Sequence, residues 1–280
     1  MPVRSNIKQL PVANVVYQYD GSYDGLMTCV FRSFQKKEIP ATVQTEDTEQ
    51  ATLYPVEYIS TSLEQSERVK RSIPIKISDY AESCVRKIFL SHLPEKEIVI
   101  LRFLHVGFSV GRKLTELTTH EDVAPALKIV LQVGNEAHFS LEFLRFSEYG
   151  DFLAAEITPK NHILPLITYH FCDRFPDENF VIYDKAHKNA FIHKGTGETE
   201  YLYETEITFP PPDEIEQSYR RLWKHFYKTI EIDGRRNHKN RRTLMPMRYW
   251  PNMTEFQEVD SSYPKISSTV SDDNSLATIS

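Results

Sequence analysis

The chain has 280 residues, 40% of them hydrophobic and 26% charged, with a formal net charge of −6. These proportions are typical of a soluble globular protein, and the length allows one large domain or two closely packed ones. They exclude a fibrous or membrane-spanning protein, because the most apolar run, residues 98–110, contains Arg102 and His105 and is too short to cross a bilayer.

The cysteines and the N-terminus bear on the cellular compartment. Cys29, Cys84 and Cys172 are odd in number and far apart, which argues against a disulfide framework and against a local zinc pair. There is no apolar signal core near the N-terminus. We therefore expect a cytoplasmic protein in a reducing environment.

The first predicted elements are a strand, a turn and a helix. Residues 12–19 are β-branched and aromatic, residues 20–25 contain two turn signals, and residues 26–34 repeat apolar side chains at helical spacing. This order superficially resembles a phosphate-binding loop, but no Gly-Lys-Ser/Thr ending follows, and Asp20 and Asp24 would repel phosphate. The pattern therefore does not indicate nucleotide binding.

The next part of the chain is predicted to be mainly helical. Residues 40–60 read as a polar connection with a strand at 53–59. The periodicity then predicts helices, the second capped by Ser78 and the last with Gly134 as a point of interruption. They cover residues 62–72, 78–90, 95–106 and 122–149.

The pattern changes after residue 151 to short strands. Strands are predicted at 152–157, 180–183, 190–193 and 201–207, with a helical segment between the first two and a hairpin between the middle two. This order predicts an α+β fold in which a helix-rich N-terminal half packs with a mostly antiparallel sheet. We expect a single domain over residues 1–256, with helical (60–150) and sheet (151–210) subregions, and a disordered tail at 257–280.

The charge of residues 220–248 differs sharply from that of the rest. This stretch has ten Lys or Arg against two acidic residues, so it carries +8 while the other 251 residues carry −14. Prolines 210–212 end the preceding segment, and Asp213 and Glu214 favour a helix N-terminus there. A C-terminal amphipathic basic helix is therefore predicted to start at these acidic residues.

The pattern within this helix predicts which face is buried. Ile215, Tyr219, Leu222, Phe226 and Ile230 recur at steps of three and four, and this stripe is predicted to face the core, leaving the basic face exposed. Residues 235–242 contain no apolar side chain and are predicted to form a surface loop.

A cationic block with adjacent aromatic residues on an acidic chain is typical of a surface that binds nucleic acid. A protein or another anionic partner, or a plain solvated surface, are the alternatives. The predicted contact residues are Arg220, Arg221, Lys224, Lys228, Arg235, Arg236, Lys239, Arg241, Arg242 and Arg248.

Six short motifs resemble those of a bacterial DNA metabolism protein family, which is a domain of unknown function. The similarity spans about residues 12 to 255, and the motifs are specific as a set, although each is weak alone. They are YDGSYDGL (19–26), NEAH (135–138), FLRF (143–146), ILPL (163–166), HFCDRFP (170–176) and MPMRYW (245–250).

This resemblance implies an association with DNA repair or modification. Members are typically encoded beside a radical-SAM protein of DNA modification or repair, and some are fused to a uracil-DNA glycosylase-like domain. The resemblance therefore implies DNA and a radical-SAM or glycosylase-like protein as partners. It supplies no catalytic residues.

An activity of the chain's own would rest on one group of side chains. His138 and Glu142 are four residues apart on a predicted helix and could meet His170 and Asp173 from the next helical segment. Ordinary ion pairs, such as Glu142 with Arg145, are the simpler explanation. No metal-binding, cofactor-binding or nucleophile motif is recognised, so no cofactor or metal is predicted.

Three classes of function remain from the sequence. The first, which we favour, is a DNA-binding accessory protein that works with a separate radical-SAM or glycosylase-like enzyme and has no activity of its own. The second is a protein-interaction module that docks that partner. The third is a DNA-acting enzyme that uses the region of His138 and His170.

Overall fold

The computed structural model describes residues 10–46, 52–232, 234 and 237–257. The chain divides into two compact units, one ending at Pro211 and the other beginning at Pro212. The boundary lies in the triple proline, where the fixed φ and missing N–H groups oppose a regular element. The single domain over residues 1–256 stays a prediction, and the tail predicted from 257 lies, beyond its first residue, outside the described residues.

Unit 1 begins with a small parallel sheet. It contains strand β1 (Val12–Tyr19), helix α1 (Tyr23–Lys36) and strands β2 (Ile39–Thr45) and β3 (Val56–Tyr58), in the order β2-β1-β3. Both pairings are parallel. β1 has the predicted bounds, whereas β2 occupies a segment that was predicted to be mainly a polar connection.

Four helices follow: α2 (Leu63–Lys76), α3 (Asp79–Phe89), α4 (Lys96–Val110) and α5 (Ala124–Phe143). Ser78 caps α3 as predicted, because its side chain accepts a hydrogen bond from the backbone N–H of Ala81. Helix α5 continues through Gly134, where no interruption occurs, and ends before the predicted limit because residues 147–149 form a strand.

The second sheet of unit 1 has five strands in sequence order. They are β4 (Ser147–Tyr149), β5 (Phe152–Ile157), β6 (Phe180–Asp184), β7 (Asn189–His193) and β8 (Thr199–Leu202), with helix α6 (Leu164–Arg174) between β5 and β6. Through this crossover β5 and β6 are parallel, and the other pairings are antiparallel.

The α+β class is confirmed, but the sheets are not mostly antiparallel. One is parallel and the other is mixed, because helices α1 and α6 each connect two parallel strands. One apolar core runs through unit 1. Its largest fully buried side chains include Tyr17, Tyr19, Leu26, Met27, Phe103 and Phe180.

Unit 2 contains helix α7 (Glu214–Thr229), the short helix α8 (His238–Leu244) and two 3-10 segments, Met247–Asn252 and Thr254–Phe256. Asp213 caps α7 by accepting a hydrogen bond from the N–H of Glu216 at 2.8 Å, as its position predicted. Residues 238–244 are helical and not the predicted loop, since Asn237 supplies a cap that starts α8. No helix in the described part of either unit is both long and apolar enough to cross a membrane.

Candidate functional sites

Helix α7 presents an apolar face to solvent. The stripe that includes Tyr219, Leu222 and Phe226 lies on one side of the helix, and its members are exposed, Leu222 to 63%. The prediction that this stripe faces the core is therefore wrong.

The C-terminal residues of unit 2 pack against a different face of α7. The ring of Tyr227 lies edge-on to Phe256 at a centroid distance of 5.6 Å, and Trp223 Nε1 donates to Glu255 Oε2 at 3.2 Å. The segment Thr254–Phe256 lies along the helix. It is too short to cover more than one face, which explains why the apolar stripe remains outside.

Two of the predicted contact residues are engaged inside unit 2. Arg220 Nε donates to Glu216 Oε1 at 2.8 Å. The guanidinium of Arg241 lies 5.6 Å from the ring centroid of Trp250, and one of its nitrogens is 3.9 Å from Glu231 Oε1. A phosphate group would have to compete with these internal contacts.

Three other cations are available to a ligand. Lys228, Lys239 and Arg242 are exposed, and none of them has an acidic partner among the described residues. Lys239 and Arg242 are three residues apart and share one side of α8. The pKa of Lys224 is lowered by burial and by repulsion from Arg220 and Lys228, so neighbouring cations on α7 disfavour one another.

The remaining predicted contact residues have different surroundings. Arg248 is exposed, and its guanidinium lies 4.8 Å from the ring centroid of Tyr249. Arg221 is half-buried. Arg235 and Arg236 lie outside the described residues. A cation stacked on an aromatic ring is also a contact type that suits single-stranded nucleic acid.

The four side chains considered for catalysis lie on the surface of unit 1. His138 Nε2 is 3.1 Å from Glu142 Oε1, and both side chains are largely exposed on α5. His170 and Asp173 are exposed on α6. Within the described residues, no hydrogen bond or ion pair joins the two groups. A catalytic role for these residues stays a prediction.

A second group of polar side chains lies at the carboxyl ends of β5 and β6. Ile157 and Asp184, the last residues of these parallel strands, are partners in the register, so the loops that follow them are neighbours. Crevices at the carboxyl ends of parallel strands are common ligand sites. The histidine cluster, as we call this group, consists of His92, Lys96, Glu136, Asn161, His162, Asp184 and His187.

Asp184 and His187 form a buried ion pair in this cluster. Asp184 is 1% exposed, and its Oδ2 lies 2.7 Å from His187 Nδ1. Its other oxygen accepts the backbone N–H groups of Ala186 and His187 at 3.1 and 3.2 Å. The hydrogen bond to Asp184 raises the pKa of His187 and outweighs the opposing effect of burial.

His162 lies directly against this ion pair. The ring centroids of His162 and His187 are 3.8 Å apart. Burial, followed by the positive charges of His187 and Lys96, lowers the pKa of His162 to about 4. His162 is therefore a neutral imidazole near pH 7.

Glu136 and Asn161 hold the loop that carries His162. Glu136 is 2% exposed and accepts hydrogen bonds from the backbone N–H groups of Lys160 and Asn161 at 3.0 and 2.9 Å. The amide of Asn161 also donates to this carboxylate, and Asn161 Oδ1 lies 2.9 Å from Nδ1 of His92. The buried carboxylates of Glu136 and Asp184 thus fix the loops after β5 and β6 through backbone hydrogen bonds.

Sequence reasoning missed the histidine cluster. Its members come from four separate segments of the chain. The crossover of β5, α6 and β6 brings these segments together, so the cluster can be predicted only if that crossover is predicted first. The available signal was an Asp at the end of a strand with a His three residues later, the spacing of Asp184 and His187. In the described part of the chain, no group of three or more His, Cys, Asp or Glu side chains is arranged to hold a metal ion.

The fold and these two sites define an α+β protein with a basic block at residues 220–248. A family model described as a domain of unknown function, DUF4130, matches residues 94–255, which is more than half of the chain, and the chain belongs to this family. The match includes the whole histidine cluster except His92, and it includes helices α7 and α8. No curated protein matches the chain.

Proposed function

We propose that this chain is a DNA-binding accessory protein of DNA repair or modification that works with a separate radical-SAM or glycosylase-like enzyme. The observation that carries the proposal is the set of exposed cations in unit 2, Lys228, Lys239 and Arg242, which have no acidic partner among the described residues. The resemblance of the sequence motifs to a DNA metabolism family supports both the ligand and the class of partner.

The charge distribution favours a polyanion as the ligand. Residues 220–248 carry +8, and the rest of the chain carries −14. The electrostatic potential of this block therefore differs in sign from that of the rest of the chain. Binding to a phosphate backbone relieves repulsion among the cations and releases counterions. We expect these cations to contact phosphates, and because phosphate contacts carry no sequence information directly, we expect little sequence preference.

A charge-matched pair of triple variants tests the proposal. Lys228, Lys239 and Arg242 are replaced with Ala in one protein. Arg112, Lys113 and Lys128, which are exposed cations of unit 1, are replaced with Ala in the control. Both variants lose two Lys and one Arg, so they have the same net charge.

Binding to single- and double-stranded DNA is measured by fluorescence anisotropy over a range of salt concentrations. The unit 2 variant should flatten the log–log salt dependence by about 0.7 (single strand) to 0.9 (duplex) for each phosphate group that is no longer bound, or about 2 to 3 in total. The control variant should retain the wild-type slope. Equal slopes for the two variants, or no DNA binding at low salt by the wild type, would refute the proposal.

A second candidate function, a protein-interaction module, is favoured by the exposed apolar face of α7. Large apolar patches on a soluble protein commonly mark protein contacts. Leu222→Gln combined with Phe226→Gln should abolish calorimetric binding to a purified radical-SAM or glycosylase-like partner and leave the salt slope for DNA unchanged. Retained partner binding by the double variant would exclude this face as the docking surface.

A further inference from the structure

An open groove of about 770 Å³ runs along helix α5 of unit 1. Its apolar part includes Leu127, Val130 and Leu131, which share one face of the helix because they are spaced three and four residues apart. Leu131 is 63% exposed, and Tyr80 of α3, which also lines the groove, is 53% exposed. Unit 1 therefore leaves large apolar side chains in contact with water along this helix.

Gly134 lies on the same face of α5 and also lines the groove. Glycine destabilises the middle of a helix relative to alanine, so its presence there calls for a reason. The described part of unit 1 supplies none, because its φ is not positive and a Cβ on Gly134 would have no contact within 4 Å outside its own helical turns. Gly107 in α4 differs, since a Cβ there would lie 2.7 Å from Ile77 Cδ1. Gly134 thus keeps space free on the solvent side of its helix.

Two cations line the same groove. Lys87 of α3 is partly exposed, and Arg112 of the 3-10 segment Gly111–Glu116 is exposed. Neither has an acidic partner among the described residues, and the described lining includes no Asp or Glu. Outside residues 220–248 the chain carries −14, so two such cations at one apolar groove differ in sign from the region that surrounds them. They are placed to attract carboxylates.

The shape of the groove favours a helix over a small molecule as its occupant. Small-ligand sites enclose most of the surface of the ligand, whereas the exposed side chains of Tyr80 and Leu131 show that this groove is open. Leu127 and Asn135 are roughly 12 Å apart along the axis of α5, which is the length of about two helical turns. A helix that binds in a groove uses apolar residues at i, i+3 or i+4 and i+7, and these span the same length. A glycine at the crossing point lets two helix backbones approach closely, which accounts for the space kept at Gly134.

We infer that this groove, the α5 groove, binds an acidic amphipathic helix of a partner protein. The apolar face of that helix packs on Leu127 and Leu131 and crosses α5 at Gly134. Its Asp or Glu residues pair with Lys87 and Arg112. This surface is additional to the one in the proposed function, because it lies on unit 1 and uses neither the DNA-binding cations nor helix α7.

The probe is a synthetic amphipathic peptide of roughly 15 residues, with Leu on one face and Glu on the others. A second peptide carries Lys in place of Glu. Each peptide is titrated into the full chain, and NMR of the methyl groups of Leu127, Val130 and Leu131 reports binding at the groove. The acidic peptide should shift these signals in a saturable manner. The basic peptide should bind at least about fivefold more weakly, because it meets Lys87 and Arg112.

Two kinds of variant separate the shape of the groove from its charge. Gly134→Ala should raise the melting temperature of the free chain by about 2 °C, because Ala favours the helix, and should nevertheless weaken peptide binding. Gly134→Leu fills the groove and should weaken binding about tenfold. Lys87→Gln combined with Arg112→Gln should weaken binding about fivefold. Arg174→Gln combined with Lys185→Gln, which removes one Arg and one Lys from outside the groove, should leave binding unchanged.

Four results would overturn the inference. They are no saturable shift of the groove methyl signals with the acidic peptide, equal binding of the two peptides, wild-type binding by either Gly134→Leu or the Lys87 and Arg112 variant, and a lowered melting temperature in Gly134→Ala, which would show that the fold itself requires the glycine. Loss of the methyl shifts in the variant with Leu222→Gln and Phe226→Gln would place the peptide on α7 and also refute the inference. Failure of DNA binding, or of partner docking by α7, would not.

Discussion

Replacement of Asp184 with Asn tests how the buried ion pair at the end of β6 stabilises unit 1. The amide oxygen can keep both backbone hydrogen bonds that Asp184 now accepts, from Ala186 and His187. The amide NH2, however, replaces the oxygen that lies 2.7 Å from His187 Nδ1. His187 must then release its Nδ1 proton and become neutral to avoid an opposition of two donors.

The expected loss follows from the kind of interaction that is removed. A charge-assisted hydrogen bond contributes about 1.5 to 3 kcal/mol, so Asp184→Asn should lower the free energy of unfolding by about 2 kcal/mol near pH 6. The raised pKa of His187 means that the ion pair contributes fully below the unfolded value of 6.5 and that this contribution is lost as the pH rises through the folded pKa. Each unit of pKa difference corresponds to about 1.4 kcal/mol. The variant should therefore differ from the wild type more near pH 6 than near pH 9.

Urea unfolding followed by circular dichroism at both pH values measures the difference, and NMR titration follows His187 directly. Asp173→Asn, the same chemical change on the exposed face of α6, serves as the control and should be neutral at both pH values. An equal loss of stability near pH 6 and pH 9, together with an unshifted His187 titration in Asp184→Asn, would refute the reasoning.

Three further substitutions test individual contacts. Gly25→Ala should destabilise the chain by about 1 to 3 kcal/mol in thermal unfolding, because its Cβ would lie 2.2 Å from Asp20 Oδ1; a wild-type melting temperature would contradict this. Asp213→Ala removes the cap of α7 and should lower the free energy of unfolding by about 1 kcal/mol and weaken the helical circular dichroism signal. Asp213→Asn should keep the wild-type stability and signal, because Asn is also a good cap. Trp250→Ala should lower stability by about 3 kcal/mol in urea, because its ring stacks on Phe256 at 4.3 Å. Unchanged stability with weaker single-strand binding would instead identify Trp250 as a base-stacking platform.

The features that sequence reasoning predicted well are local ones. Ser78 and Asp213 cap their helices at the predicted positions because a cap depends on hydrogen bonds within one turn. The β6–β7 hairpin likewise joins neighbours in the chain. Strand β2 was missed because its parallel pairing with β1 requires a helical crossover, which leaves no short-range signal.

The two candidate sites also differ in how far the sequence predicts them. The basic block is a property of composition, so its existence could be predicted, but its geometry could not. Arg241 lies over Trp250 because α8 is a helix, and the residues 238–244 offer no apolar periodicity that would predict one. The histidine cluster depends on the pairing of β5 with β6, so its long-range contacts are invisible in the sequence pattern.

Added salt has opposite effects on the two exposed faces of α7: it weakens the electrostatic interactions of the basic face and strengthens the hydrophobic interactions of the apolar face. Raising the concentration of a simple salt screens Lys228 and its neighbouring cations, while a strongly excluded salt such as sulfate drives the apolar face around Leu222 and Phe226 out of water. The solubility of the protein should therefore depend on which anion is used as well as on ionic strength. Chloride at moderate concentration should keep unit 2 dispersed, and sulfate at equal ionic strength should promote reversible self-association through α7.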